Sequence, residues 1–188
     1  MRFHPLPIHG AYLVEMERRG DERGFFARAY CANEFAAHGI APSFVQANNS
    51  VSAQSGTLRG LHYQLGEYAE DKLIRCIGGA VFDVVLDLRP ESPTFLKHHT
   101  LRFSSRDKNA VYVPRGCANG IMTLEPETEL FYLASNFYEP SAERGLRWDD
   151  PRLAIEWPRE PAVVSEKDAS HPDFDPAFHL TPSFGPFR

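Results

Sequence analysis

The residues of this chain that could do chemistry fall in a few short segments. Thr57-Leu58-Arg59-Gly60-Leu61-His62-Tyr63-Gln64 has the composition of a strand, and two-residue alternation puts His62 on one face with Gly60 and Gln64, which have little to bury. A ligand over that face would meet an imidazole, the side chain that gains and loses a proton near neutral pH. Arg59 would point the other way unless Gly60 makes a bulge, which a glycine inside a strand often marks. Two further strands carry one polar group each among small or apolar neighbours: Lys72 with Ile74 and Cys76, and Tyr132 with Leu130 and Ala134. Taken singly, Lys72 is a surface ammonium and Tyr132 an amphipathic core ring. Convergence with His62 would give the three a common purpose.

What must position them is a β-rich body. Fifteen prolines and thirteen glycines divide the chain into short runs rich in Val, Ile, Phe, Tyr and Thr, without long stretches of helical period. Strands are expected at 11–17, 25–30, 43–50, 57–64, 72–77, 80–88, 97–103, 110–113, 120–124 and 129–135, enough for a sandwich or barrel. One short helix is expected over 32–38, with Asn33 as its start signal and Gly39 as its stop. From about 140 to 188 the chain turns polar and proline-rich and reads as loops and short turns wrapping the body, and the whole 1–188 reads as a single domain.

Composition narrows the function. With 188 residues and 43% hydrophobic side chains the chain can build a core. A formal net charge of -5 leaves no general positive field for nucleic acid or anionic lipid. The first ten residues contain two prolines and no signal-peptide core, and the later apolar runs are interrupted by Arg75, Asp83 and Asp87, so neither secretion nor membrane spanning is expected. Cys31, Cys76 and Cys117 are too few and too scattered for a disulfide framework, which fits a reducing cytoplasm.

Pro114-Arg115-Gly116-Cys117-Ala118-Asn119 resembles the second motif of the cupin superfamily, in which a histidine metal ligand commonly holds the last place. Here that place is Asn119. The companion motif would need two histidines one residue apart, the chain has His62-Tyr63-Gln64, and the adjacent His98 and His99 face opposite sides of a strand. A metal-free, cupin-like barrel is therefore expected.

Asp21-x-Arg23-Gly24-Phe25-Phe26, Phe44-Val45-Gln46-x-Asn48-x-Ser50, Leu58-Arg59-Gly60-Leu61-His62-Tyr63-Gln64 and Lys72-Leu73-Ile74-Arg75 resemble the dTDP-4-dehydrorhamnose 3,5-epimerases, and the likeness continues through Phe82-Asp83-Val84-Val85-Leu86-Asp87-Leu88-Arg89, Tyr132, Tyr138, Glu143 and Ser165-Glu166-Lys167-Asp168. The resemblance implies a cupin-like jelly roll acting on a nucleotide-activated 4-keto-6-deoxyhexose, on the route to L-rhamnose or a related deoxysugar, without a cofactor. Its chemistry needs a base over a proton beside the ketone, a cation at the enolate oxygen and an acid on the opposite face. By the same resemblance His62 is the base, Asp168 orients it, Tyr132 is the acid and Lys72 lies near the C4 oxygen. Arg59, Lys72 and Lys167 fall to the diphosphate and sugar, Gln46, Asn48 and Tyr138 to the nucleoside, and Glu143 to a further substrate contact. Arg23 and Phe26 would reach into a neighbouring subunit's site in a homodimer with exchanged N-terminal strands.

Three positions depart from that pattern. Arg28 stands where the family usually has a glutamate beside the nucleobase, Ala47 where it has aspartate, and Asn119 where it has a histidine. An arginine only donates, so cytosine becomes an alternative to thymine. Asn119 is expected to donate a hydrogen bond without shuttling a proton, so a C3-only or C5-only epimerase on a different nucleotide sugar, carrying CDP or GDP, stands as the alternative, with a non-catalytic sugar-nucleotide binding protein behind it.

Overall fold

The computed structural model describes residues 1–40 and 43–180. Its strands are β1 (Arg2–Pro5), β2 (Tyr12–Glu15), β3 (Arg19–Asp21), β4 (Gly24–Phe26), β5 (Gln46–Ser52), β6 (Thr57–Gln64), β7 (Lys72–Gly78), β8 (Ala80–Asp87), β9 (His98–Ser104), β10 (Asn109–Val113), β11 (Cys117–Thr123), β12 (Thr128–Ala134), β13 (Glu143–Gly145) and β14 (Val163–Val164); the α-helices are α1 (Ala32–Ala36), α2 (Glu166–Ala169) and α3 (Pro176–His179). One sheet runs β1-β2-β10-β7-β12-β5 and the other β13-β6-β11-β8-β9, with β14 also on β6 and β3–β4 a separate ribbon. All these pairs are antiparallel except β14 with β6.

Side-chain alternation explains the layering. Ile74, Val111, Val113 and Leu130 of the first sheet meet Val81, Val85, Phe103 and Ile121 of the second in one core between the sheets. The outer faces are clad as well. Phe35 of α1 with Val14, Leu73, Ala110 and Tyr112 covers the first sheet, and Leu146, Leu153 and Phe174 of the C-terminal segment cover Leu58, Leu61, Tyr63, Val84 and Leu86 of the second. β8 is buried on both faces, and its run Ala80-Val81-Phe82-Asp83-Val84-Val85-Leu86-Asp87 is accordingly almost all apolar. Asp83 shares its parity with Val81 and Val85 and so points between the sheets. Asp87 accepts from Arg89, Ser92 and Thr94, which fixes the turn leaving β8. The result is the cupin-like jelly roll that was expected.

Local departures have local causes. β1 was not anticipated, because two prolines sit in its neighbourhood; it is an edge strand, where a terminal Pro5 costs no ladder bond. Instead of a strand over 25–30 the chain forms the β3–β4 hairpin and leaves the strand state after Phe26. The helix begins at Ala32 as expected, but Cys31 and not Asn33 holds the N-cap position, no side chain caps it, and the helix ends at Ala36, two residues short of His38. Gly39, at φ +72°, still closes the turn that follows. The segment after 140, read as loops, contributes β13, β14, α2 and α3, while residues 181–188 lie outside the described residues.

Candidate active site

A cavity of about 360 Å³ opens between the sheets, with Arg59, His62, Lys72, Asn119, Tyr132, Lys167 and Asp168 in its wall. The conditional expectation for Arg59 is met. Register passes from Asn119↔His62 to Ile121↔Arg59, so three steps along β6 oppose two along β11, and the extra residue turns Arg59 and His62 toward one cavity. Gly60 makes this possible: its φ is +121°, and a Cβ there would lie 2.6 Å from Gly120 Cα and 2.8 Å from Asn119 O.

His62 and Tyr132 come from different sheets, β6 and β12, and face each other across the cavity. His62 Nε2 is 2.6 Å from Asp168 Oδ1. Asp168 is buried in α2, takes the Gly60 N–H on its other oxygen at 3.3 Å, and its own N–H is capped by Ser165 Oγ at 3.1 Å. Burial pulls the Asp168 pKa upward, but the hydrogen bond and charge of His62, with help from Gly60 and His171, prevail and hold it below the ordinary carboxylate value. An ionised Asp168 only accepts, so the His62 proton belongs on Nε2 and the basic lone pair on Nδ1.

On the opposite wall, burial, reinforced by Glu70 and opposed by Arg59, raises the Tyr132 pKa and keeps the phenol protonated. Lys72 pairs with Glu70 at 3.2 Å. Arg59 is aimed by Ser52 Oγ at 3.1 Å and Val51 O at 3.2 Å. Nearer the mouth, Glu143 accepts from Lys167 at 2.6 Å and from the Tyr138 hydroxyl at 2.8 Å, and Gln46 Oε1 accepts the Tyr138 N–H at 2.8 Å. Asn48 and Ser50 share the Gln46 face of β5, with Asn48 opposite Tyr132 in the ladder.

Asn119 donates inward. Its Nδ2 donates to Asp83 Oδ1 at 2.9 Å and to Val84 O at 3.0 Å. Both amide protons are used, and a backbone carbonyl can only accept, so the amide cannot be reversed. Asn119 therefore donates, as expected, but spends both amide protons within the protein and leaves none for a ligand. Beneath it Asp83 is fully buried, its Oδ2 unpaired; burial pushes its pKa up to about 7 despite the Asn119 hydrogen bond and the Lys72 charge.

Gln46, Asn48, Tyr138 and Glu143 are not part of the cavity wall itself, and Arg23, Phe26 and Arg28 are engaged elsewhere within the chain. Arg23 pairs with Asp21 on the exposed ribbon, Phe26 is 70% exposed, and Arg28 pairs with Glu34 at 3.1 Å. Phe26 and Arg28 line a separate, smaller pocket with Met1, Glu17, Arg19 and Glu34. Conversely, the sequence reading gave no site role to Asp83, which it took as an interruption of an apolar run and as part of a family-like segment, or to His171, for which no local pattern speaks. His171 also revises the count of metal donors: His62, Asp168 and His171 place one ligand atom each within 4.8 Å of one another.

The model of the dTDP-4-dehydrorhamnose 3,5-epimerase family matches residues 5–176, across both sheets and the whole cavity. The chain belongs to that family. Among its relatives, the dTDP-4-dehydrorhamnose 3,5-epimerase of Shigella flexneri is 44% identical over 168 residues, covering 89% of this chain and 92% of that protein. The crystal structure of dTDP-4-dehydrorhamnose 3,5-epimerase from Elizabethkingia anophelis superposes with a TM-score of 0.89 at 38% identity, covering 93% of this chain and 96% of the other. That of dTDP-6-deoxy-D-glucose-3,5-epimerase from Legionella pneumophila, in complex with dTDP-4-keto-L-rhamnose, gives 0.85 at 36% identity and covers 92% of each chain. The chain is thus an isomerase of the dTDP-4-dehydrorhamnose 3,5-epimerase family.

Proposed function

We propose that this chain, as a single domain, inverts C3 and C5 of dTDP-4-dehydro-6-deoxy-D-glucose to give dTDP-4-dehydro-L-rhamnose. The observation that carries the reading is the pairing of a carboxylate-held imidazole on β6 with a protonated tyrosine on β12, on opposite sides of a cavity fitted with Lys72. Inversion next to a ketone needs removal of a proton from one face and its return to the other. His62 Nδ1 takes the proton, and Asp168 holds the ring and stabilises the imidazolium that forms. Lys72 meets the oxygen that becomes negative in the enolate, and Tyr132 returns a proton from the far face. The ketone acidifies its own neighbours, so the step draws on no cofactor.

Arg59 and Lys167 suit the diphosphate, Arg59 through its paired donors. Tyr138, held by Gln46 and Glu143 at the mouth, suits stacking on the base, with Asn48 beside it. Arg23, Phe26 and Arg28 would serve a neighbouring site in a homodimer with exchanged N-terminal strands, in the cytoplasm; among the described residues no helix is long and apolar enough to cross a membrane. A second reading, a single-centre epimerase, draws support from Asn119, since its fixed carbonyl neither donates nor carries a proton.

Incubation in heavy water with a panel of dTDP-, CDP- and GDP-linked 4-keto-6-deoxyhexoses, followed by NMR, tests both. The expected outcome is deuterium and inversion at C3 and C5 of the dTDP sugar. Label at one carbon only selects the second reading, and label nowhere rejects both.

A further inference from the structure

The His62–Asp168 pair has a third neighbour that the epimerase reaction does not use. The His171 ring stands edge-on to that of His62, with centroids 5.7 Å apart and planes at 81°. Its Nε2 lies 3.5 Å from Asp168 Oδ1 and makes no hydrogen bond, although the side chain is only 13% exposed. The seat for this ring is Gly145, which pairs with His62 in the β13–β6 ladder; a Cβ at 145 would fall 2.2 Å from His171 Nε2. An imidazole nitrogen is thus held beside the dyad and left without a hydrogen bond.

Two imidazoles, one carboxylate and a side open to a cavity form the donor set of an open, four-coordinate zinc site. The donor atoms stand from 2.6 Å to at most 4.8 Å apart, which brackets the spacing of roughly 3.4 Å that bonds of about 2.1 Å to a tetrahedral ion require. Lys167 and Glu143, the other charged groups near His171, are paired with each other at 2.6 Å, so the carboxylate of Asp168 sets the local charge. We infer that His62, Asp168 and His171 bind a zinc-class divalent cation, with water in the fourth position, and that the bound ion switches the enzyme off. In the active tautomer His62 carries its proton on Nε2 and its lone pair on Nδ1. The cation takes the Nε2 electron pair, the proton moves through solvent to Nδ1, and the Asp168 oxygen exchanges its hydrogen bond for a metal bond. Nothing is oxidised or reduced, and Nδ1–H can no longer accept the substrate's proton. Magnesium, which prefers oxygen ligands and keeps its waters, is a poor match for this set.

Inhibition rests on the epimerase reading; binding does not, so the two are measured separately. Cobalt(II) replaces zinc as a visible probe of binding, and solvent exchange into the 4-keto sugar, titrated with zinc and with magnesium, reports inhibition. The wild-type protein should take up one equivalent with tetrahedral cobalt bands, lose exchange with zinc but not magnesium, and recover when a chelator is added. His171→Gln should keep metal-free activity, lose the bands, and need at least about tenfold more zinc for the same inhibition. Should that variant fold poorly, the band titration of His171→Asn decides instead. Wild-type protein without bands, or a His171 variant with unchanged bands and zinc sensitivity, overturns the site. His171-dependent bands in a protein that exchanges no 4-keto sugar would uphold the site and reject the proposed function.

Discussion

The cavity wall and the N-terminal ribbon are built in opposite ways. In the wall the basic side chains are backed by other groups: Asp168 holds His62, Glu70 stands by Lys72, and Ser52 aims Arg59. On the β3–β4 ribbon Phe25 is 49% exposed, Phe26 is 70% exposed, and Arg23 pairs with its neighbour Asp21. Preorganised groups belong where charge develops in a reaction, whereas exposed aromatic rings beside an arginine belong where another surface arrives. On the proposed function, one chain would complete the proton-transfer apparatus and leave part of recognition to a partner.

The wall is broken most severely at His62. His62→Ala should lower solvent exchange at both carbons by about 10²- to 10⁴-fold, the contribution typical of a positioned general base, with thermal stability little changed. Tyr132→Phe separates the two faces: deuterium still enters because His62 still removes the proton, while inversion falls. Exchange and inversion measured on one NMR sample decide this, and an equal loss of both would make Tyr132 a positioning residue.

The ribbon gives the next largest effect. If Arg23 contacts phosphate in a partner's site, Arg23→Ala should cost roughly ten- to hundredfold in kcat/KM, as expected for a lost charged hydrogen bond. Mixing Arg23→Ala chains with His62→Ala chains sharpens the contrast, because each mixed dimer would hold one intact site and one doubly defective site. Restored activity in the mixture means that sites are shared between chains, and no restoration means that each chain builds its own.

The same contrast explains what could be read before the fold was seen. Strands β6 to β12 were legible because alternation and turn residues are local signals, and His62, Lys72 and Tyr132 stood out as lone polar groups on otherwise unremarkable faces. Arg59 depended on a bulge, and Gly60 hinted at it. Asp168, Lys167 and Glu143 were reachable only through family resemblance, since they lie on a short helix and a short strand whose places are set by packing on β6. His171 gave no sign, because Gly145, which seats it, and His62, which it faces, are distant in sequence, and Asp168 three residues before it was itself reached only through the resemblance. Asn119 was identified as a donor, but that its protons are spent on Val84 O and Asp83 was not legible, because those acceptors lie on the adjacent strand.

The last test reads stability and leaves turnover aside, and it concerns Asp83, which supports the wall from below. Its folded pKa of about 7 lies above the ordinary value of 3.8, so between these limits the folded protein keeps a proton that the unfolded chain has released. Where the folded state binds more protons, stability falls as pH rises, here by up to about 1.4 kcal/mol per pH unit, levelling off above the folded pKa. Asp168, Asp87 and Glu143, with lowered values, act in the opposite sense and lose their contribution as pH falls. Comparison with Asp83→Asn cancels those common terms while keeping an oxygen to accept from Asn119. The variant should gain stability relative to the wild type from about pH 4 to about pH 7 and hold that gain beyond, as followed by urea unfolding. A difference that does not change with pH would mean that Asp83 is already ionised in its buried place and that Lys72 compensates its charge.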